Sequence, residues 1–263
     1  MPSDLILQPT PDAIALAEKR KQLSALRTQL ADREADLAQL RAQLKSFESR
    51  YFRQIGTLYA ELDELEARIV EREVDLYDSD AARRRAEEAR QRAQESHNAA
   101  YAHEDEPEEL EPPPSLKTLF RDLARRIHPD FARDEAEQKH FTLLMARANQ
   151  AYKRGDAETL QRLLDDHREI HSESLGTGPE GPATELLRIN RQIRHAQRDI
   201  AALDAEEHTL RLSEIAQLHR DAEAAAQEHR DLLAELASSL REQITEAQSR
   251  FEQIDRQIKA HGR

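Results

Sequence analysis

Three consecutive residues of this chain, His128, Pro129 and Asp130, combine an imidazole, a rigid ring and a carboxylate. The imidazole and the carboxylate offer hydrogen-bond donors and acceptors, and the proline ring restricts the backbone between them. A turn of this composition can order polar groups on a partner molecule. We therefore expect a recognition site at this tripeptide, with no catalytic residue, no cofactor and no metal ion in the chain itself.

A row of basic side chains precedes the tripeptide. Lys117, Arg121 and Arg125 recur every four residues, so they share one face of a helix, and Arg126 lies beside them. Basic groups on the rim of an interface attract an acidic partner surface and raise the association rate, an effect that salt weakens. Such a row alone is typical of a solvated helix face. Its position next to the tripeptide favours partner binding.

The basic row and the tripeptide belong to a predicted helical hairpin. The prolines at residues 112–114, followed by Ser115 as the N-cap, predict where its first helix begins, and Pro129 predicts its end. The apolar residues of this helix fall on one stripe, made of Leu116, Leu119, Phe120, Leu123 and Ile127.

Two further helices are predicted after the tripeptide. Asp134, with Glu137 three residues later, forms an acidic variant of the capping box, Gly155 ends that helix, and Asp156 caps the next. Their apolar residues are Phe141, Leu144, Met145, Ala148 and Tyr152, then Leu160, Leu163 and Leu164. Because antiparallel helices bury their stripes against each other, we expect the loop that carries the tripeptide to be exposed at the apex.

The sequence LFRDLARRIHPD at residues 119–130 and the sequence NQAY at residues 149–152 resemble the J domain of the DnaJ family of co-chaperones. Phe120, Leu123 and Ala124 match apolar positions of the family's second helix, and Ala151 and Tyr152 match a pair late in its third. The resemblance covers residues 115–164, about a fifth of the chain.

The resemblance implies a mechanism in which another protein carries out the chemistry. In the family, the tripeptide and the basic face of the second helix dock on a DnaK-type chaperone, near the linker between its two domains, and trigger its ATP hydrolysis. For this chain the resemblance therefore implies a partner surface formed by the residues singled out above: His128, Pro129, Asp130, Lys117, Arg121, Arg125 and Arg126.

Three features depart from the family's pattern. The acidic, proline-rich residues 104–114 contain no counterpart of its short apolar first helix, so the hairpin is expected to borrow packing from a neighbouring helix. Asp122 and Phe131 stand where the family commonly has basic residues. We expect these two changes to weaken the positive face and to narrow partner choice or lower affinity.

The remainder of the chain has the composition of long helices and coiled coils. Charged residues make up 35% and aromatic residues 4% of the sequence, so a large globular core is not expected. A seven-residue repeat predicts a coiled-coil arm over residues 12–102. Its members are Leu16, Leu23, Leu30, Leu37, Leu44, Tyr51, Leu58 and Leu65. After Leu76 and Tyr77 the repeat fades into a stretch of Arg, Glu and Ala, which predicts a solvated single helix or a frayed one.

The first arm contains one irregularity. Phe47, Tyr51, Ile55 and Leu58 are spaced by 4, 4 and 3 residues, the pattern of a four-residue stutter. We expect the supercoil to unwind locally there, beside Gly56.

A second coiled-coil arm is predicted over residues 183–263. Its first apolar row is Leu186, Ile189, Ile193, Ala196, Ile200, Leu203 and Leu210, and its second is Leu233, Ala237, Leu240, Ile244, Ala247, Phe251, Ile254 and Ile258. The alanine-rich residues 221–229 between the rows predict a bend or a weakly paired segment. The two arms can pair within one chain or each with its copy, and the long repeat favours a homodimer.

The segments outside the arms and the hairpin are predicted to be a terminal tail and two linkers. Residues 1–11 are expected to be a disordered N-terminus, residues 103–114 an acidic, proline-rich linker, and residues 172–182, with three glycines, a flexible linker. The predicted fold is all-α, with a J-domain-like helical hairpin between two long coiled-coil helical arms.

Other function classes lack their sequence signals. The chain has no cysteine, and its net charge of −13 disfavours a nucleic-acid surface. His167 and His171 have a spacing that could bind zinc on one helix face. We expect them to be surface histidines without a metal. No long apolar run or targeting signal is found, so a cytoplasmic protein without a membrane segment is expected.

Two hypotheses remain. The first is a J-domain co-chaperone, whose coiled coils direct oligomerisation or delivery to a client or complex. The second is a coiled-coil scaffold or tether whose J-like hairpin no longer acts as a trigger. The intact tripeptide and the basic row favour the first, and the missing first helix and Asp122 favour the second.

Overall fold

The computed structural model describes residues 11–77, 79–102, 112–132, 134–173 and 182–261. Within these ranges the chain is helical and contains no β-strand, which confirms the predicted all-α fold. The helices are α1 (Pro11–Tyr51), α2 (Thr57–Tyr77), α3 (Asp80–Tyr101), α4 (Pro114–Ile127), α5 (Glu135–Lys153), α6 (Ala157–Glu173), α7 (Pro182–Arg211), α8 (Glu214–Gln227) and α9 (Leu232–His261). A π-helical turn (Phe52–Gly56) follows α1, and a 3-10 turn (Pro129–Phe131) follows α4.

The chain divides into two compact units, and each combines an N-terminal with a C-terminal segment. The first unit takes in residues 1–43 and 110–212, and the second takes in residues 44–109 and 213–263. The predicted arms therefore do not form units of their own, because each arm contributes to both.

In the first unit, α4, α5 and α6 form a three-helix stem. The predicted stripe is buried except for Leu119, which is half-buried, and the rings of Phe120 and Tyr152 lie 5.1 Å apart in the core. α1 adds Ala31, Ala35 and Ala42 to the same core. These small side chains allow the helix axis to come close, and they confirm the expectation that a neighbouring helix packs against the hairpin.

Local sequence signals set most of the helix ends in the stem. Asp134 Oδ1 accepts a hydrogen bond from the amide of Glu137 at 2.8 Å, and Asp156 Oδ1 accepts one from the amide of Thr159 at 2.9 Å. Gly155 has a φ of 69°, a left-handed conformation that glycine adopts without strain. These observations confirm the predicted caps of α5 and α6.

The start of α4 differs from the prediction. Pro113 takes the N-cap position and Pro114 is the first helical residue, so Ser115 lies inside the first turn and does not cap it. Proline suits the first helical position because its missing amide would have no partner there and its fixed φ is helical.

α1 and α7 pair in parallel within the first unit. Arg20 forms an ion pair with Glu185, and Arg41 with Glu206, and in both pairs the residues are 165 positions apart. The buried apolar residues between the helices are Leu23, Leu30, Ile189, Ile193, Ala196 and Ile200. For these helices the structure contains the intrachain pairing that the sequence left open, while self-association stays a prediction.

In the second unit, α2 packs against both α3 and α9. Arg90 Nε donates to Glu71 at 2.7 Å, and Ser96 bonds to Asp63, so α2 and α3 run antiparallel. Four alanines of α3 are buried: Ala82, Ala86, Ala89 and Ala100. The prediction of a solvated or frayed helix after Tyr77 is therefore wrong, because alanines on one face of α3 let it pack closely on α2.

The predicted stutter coincides with the π-helical turn. A π-helix has more residues per turn than an α-helix, so it absorbs the extra spacing between Tyr51 and Ile55. A Cβ atom at Gly56 would lie 3.0 Å from Phe52 Cδ1 and 3.6 Å from Ala100 Cα. A side chain at this position would therefore crowd the Phe52 ring of the same turn, whereas its contact with Ala100 of α3 would be an ordinary one.

The C-terminal arm is interrupted twice. A bend was expected within residues 221–229, and α8 ends at Gln227, where His229 adopts a φ of 59° and Asp231 Oδ1 accepts from the amide of Ala234 at 3.1 Å. The break at Leu212 was not predicted. There Ser213 caps α8 by accepting from the amide of Ala216 at 3.3 Å.

Several predicted segments fall on residues that the structure does not describe. These are residues 1–10 of the expected N-terminal tail, residues 103–111 of the acidic linker and residues 174–181 of the glycine-containing linker. Among the helices that are described, none has the length and apolar character needed to cross a lipid bilayer.

Candidate functional site

The tripeptide forms a tight turn at the end of α4. His128 leaves the helix in an extended conformation, with φ −61° and ψ 129°, as expected for a residue before proline. Its carbonyl accepts from the amide of Phe131 at 3.0 Å, and its Nδ1 accepts from the amide of Asp130 at 3.2 Å. The neutral imidazole therefore carries its proton on Nε2, the nitrogen that faces α1.

Acidic side chains of α1 contact the imidazole and the first half of the basic row. His128 Nε2 lies 3.4 Å from Glu34 Oε1. Lys117 Nζ lies 2.6 Å from an Asp36 carboxylate oxygen. Two residues before Glu34 in α1, a third acid, Asp32, lies 3.6 Å from Arg121 Nε. Arg121, the later of the two basic residues, pairs with Asp32, the earlier of the two acids. α1 and α4 therefore run antiparallel here.

Side chains of α7 face the carboxylate of the tripeptide. Asp130 Oδ2 lies 3.8 Å from His195 Nδ1, and carboxylate oxygens of Asp130 and Asp199 lie within 4.8 Å of each other. Burial and the neighbouring Asp199 carboxyl group raise the pKa of Asp130 to about 6, while His128 and Arg198 act in the opposite direction. The nearby carboxyl group of Asp199 therefore makes ionisation of Asp130 less favourable than in water.

The pKa of His128 is also raised. Burial lowers it, but the hydrogen bond to Glu34 and the negative charges of Glu34, Asp130 and Asp199 outweigh burial. The imidazole and the Asp130 carboxyl group therefore both hold their protons more tightly than they would in water.

Phe131 anchors the turn between α1 and α7. Its side chain is buried in the same cluster as Leu30 and Ile193, and the guanidinium carbon of Arg27 lies 4.4 Å from its ring centroid. The centroid of the His128 ring lies 5.2 Å from that of the Phe131 ring. An apolar ring at this position is buried only if the turn is covered by neighbouring helices.

The expectation of an exposed apex is therefore wrong. His128 is only 9% exposed, and the side chain of Asp130 is 17% exposed. The physical reason is that Phe131 and the acids of α1 draw the turn against α1 and α7, which the hairpin pattern alone does not reveal.

The basic row is split by these contacts. Lys117 and Arg121 are ion-paired with α1, whereas Arg125 and Arg126 are exposed in the last turn of α4. The structure therefore places the predicted site residues on α4 and its turn, where His128 is buried, Lys117 and Arg121 are ion-paired but partly exposed, and the last two basic side chains are exposed.

Within the described residues, one group of side chains has the spacing of a metal site. Ligand atoms of His128, Asp130 and Asp199 lie within 4.8 Å of one another. The expectation that the chain needs no metal stays a prediction.

The residues that sequence reasoning missed are those of α1 and α7 that cover the turn, namely Asp32, Glu34, Asp36, His195 and Asp199. One signal was present in the sequence. Asp32 and Asp36 have the same four-residue spacing as Lys117 and Arg121, which is the spacing of complementary rows on two helices. Phe131 was noted as a departure, but its apolar character was the stronger clue.

The pair of histidines in α6 also differs from the prediction. His167 is buried at 3% exposure, and its ring meets the Phe141 ring edge-on at 5.5 Å, so it is a core residue and not a surface histidine. The side chain of His171 lies outside the described residues.

Comparisons with known proteins do not assign this chain to a family: no protein-family model, no curated protein and no solved structure matches it.

Proposed function

We propose that this chain is a J-domain co-chaperone that stimulates ATP hydrolysis by a DnaK-type chaperone. The observation that carries the proposal is the His128-Pro129-Asp130 turn between an antiparallel pair of helices, the first of which bears a basic row. The chain itself performs no chemistry. Its partner surface consists of the tripeptide with Lys117, Arg121, Arg125 and Arg126, and a cytoplasmic location fits the resemblance.

The physical roles of these groups follow from their types. The basic side chains attract the acidic surface of the chaperone and orient it, an effect felt mainly in the association rate. Pro129 restricts the turn, so that the imidazole and the carboxylate reach their partner groups with little loss of conformational freedom. The long helices direct oligomerisation or delivery to a client or complex.

A steady-state ATPase assay with a DnaK-type chaperone tests this function. We expect the full chain to stimulate hydrolysis and His128→Gln to lose the stimulation. Glu34→Ala is the matched control, because it removes the contact between α1 and the imidazole and leaves the tripeptide intact, so it should keep the stimulation. Equal rates with the wild type and His128→Gln would contradict the proposal.

The burial of the tripeptide favours a second candidate, a coiled-coil scaffold or tether with an inactive hairpin. In that case the contacts of His128 and Asp130 with α1 and α7 serve stability alone. A His128→Gln chain would then replace the wild type fully in a deletion strain, whereas under the co-chaperone proposal it would fail to do so.

A further inference from the structure

We propose that α1 and α7 form an autoinhibitory clasp over the tripeptide, which an acidic chaperone surface displaces when it binds. The clasp consists of Asp32, Glu34 and Asp36 on α1 and of His195 and Asp199 on α7. The inference rests on the proposed function, because it names the regulation of the same surface.

The α1 part of the clasp imitates an acidic partner. Three acids of α1, within one and a half helical turns, each contact one side chain of the proposed partner surface. The contacts are Asp36 with Lys117, Glu34 with His128, and Asp32 with Arg121. A chaperone that binds this surface must offer the same negative charge in the same place. We call the arrangement with these contacts formed the closed state. The chaperone cannot dock on this surface while the closed state persists.

The ion pairs between the basic row and α1 hold the closed state only weakly. The side chains of Lys117 and Asp36 are 34% and 42% exposed, and those of Arg121 and Asp32 are both 45% exposed. Ion pairs with this much access to solvent contribute little each, so a competing acidic surface can replace them.

The exposed end of the basic row offers an acidic partner a first contact. Arg125 and Arg126 are exposed in the closed state, one turn beyond Arg121. An acidic partner can dock on these two side chains first and then compete for Arg121 and Lys117. This order requires no spontaneous opening before the encounter.

The α7 part of the clasp holds the turn itself. Asp130 is held against His195 and Asp199, and Phe131 is buried between α1 and α7. Release of the tripeptide therefore requires Phe131 to leave its apolar site.

Hydrogen exchange on the free protein tests the clasp without a chaperone. Asp32→Lys combined with Asp36→Lys replaces two attractions by two repulsions. We expect amides of α4 and the turn to exchange faster by on the order of tenfold. Glu18→Lys, which reverses an exposed acid of α1 outside the clasp, is the matched control and should leave the exchange unchanged. Unchanged exchange in the double variant would overturn the clasp.

A charge swap separates opening from unfolding. Asp36→Lys alone should speed exchange, and adding Lys117→Asp should slow it again, because the ion pair is restored in reverse. Exchange that stays fast in the swapped variant would show that the substitutions damage the fold, and it would overturn the assignment to this ion pair.

The ATPase assay distinguishes failure of the clasp from failure of the proposed function. If the double variant stimulates the chaperone more than the wild type, and His128→Gln abolishes that gain, both hold. Equal stimulation by the wild type and the double variant overturns the clasp and keeps the function. Faster exchange without stimulation by either protein keeps the closed contact and contradicts the co-chaperone function.

Discussion

At the scale of single residues, Phe131 joins the tripeptide to the α1–α7 pair. It is 8% exposed and packs in the same apolar cluster as residues of both helices. The resemblance to the J domain drew attention to the charge that is missing at this position. The structure shows that the ring which replaces the charge has a packing role of its own.

Phe131→Ala is expected to destabilise the first unit by about 3 kcal/mol, because it removes a buried ring and leaves a cavity. Urea denaturation measures the change in the free energy of unfolding. Leu143→Ala is the matched control: Leu143 is 67% exposed on α5, so its truncation should change stability by less than about 0.5 kcal/mol. Equal effects of the two substitutions would contradict the burial of Phe131.

The raised pKa values predict how the closed turn responds to pH. The pKa of Asp130 rises from 3.8 to about 6 on folding, so the folded protein holds a proton that the unfolded chain releases between these values. The stabilising contribution is present at low pH and is lost as pH rises through about 6. The pKa of His128, raised above 6.5, has the same sign, and its contribution is lost at higher pH. The charged groups that face this pair are Glu34 on α1 and His195, Arg198 and Asp199 on α7.

Asp199→Asn tests this pH dependence. An uncharged amide can donate a hydrogen bond to ionised Asp130, so the variant should lose less stability than the wild type as pH rises from 3.8 to about 6. Urea denaturation at several pH values measures the difference. Asp204→Asn, which changes another acid of α7 that pairs with Arg33, should keep the wild-type dependence. Parallel pH profiles for the wild type and Asp199→Asn would contradict the contact between the two carboxyl groups.

At the scale of helices, the sequence predicted what depends on neighbouring residues. The stripe of α4, the caps at Asp134 and Asp156 and the left-handed Gly155 all follow from spacing over a few positions. The unwinding near Ile55 was also predictable, because a stutter is a local change in spacing. The packing of α3 was not, since alanines on one face of a helix indicate neither burial nor exposure.

Ala89→Leu tests whether α3 is packed or solvated. Added volume at a buried alanine should destabilise the second unit by about 1–3 kcal/mol through overpacking. Ala99→Leu is the control, because Ala99 is exposed on the same helix and should tolerate the change. Denaturation that does not distinguish the two variants would favour the solvated helix.

At the scale of the whole chain, the partners of the apolar rows could not be predicted from the sequence. A heptad row specifies which face of a helix is buried, but neither the partner nor its direction. The choice between α7 and a second copy of α1 depends on contacts between residues far apart in the chain, such as Arg20 with Glu185. The coverage of the tripeptide depends on the same long-range pairing, so the sequence located the candidate site but not its closed state.

Cross-linking tests the intrachain pairing directly. Because the chain has no cysteine, Arg20→Cys with Glu185→Cys introduces the only two thiols. A short thiol cross-linker should join them within one chain, independently of protein concentration. A product of twice the chain mass on a denaturing gel, increasing with concentration, would show that the arms pair between copies.

A reversible lock on the clasp is the most direct measurement of the central claim. Asp36→Cys with Lys117→Cys replaces side chains whose charged atoms lie 2.6 Å apart, and a short bis-methanethiosulfonate cross-linker holds them closed until reductant releases it. We predict that the locked chain stimulates a DnaK-type chaperone no more than His128→Gln does, and that reduction restores stimulation in the same sample. Equal stimulation before and after reduction would contradict the clasp.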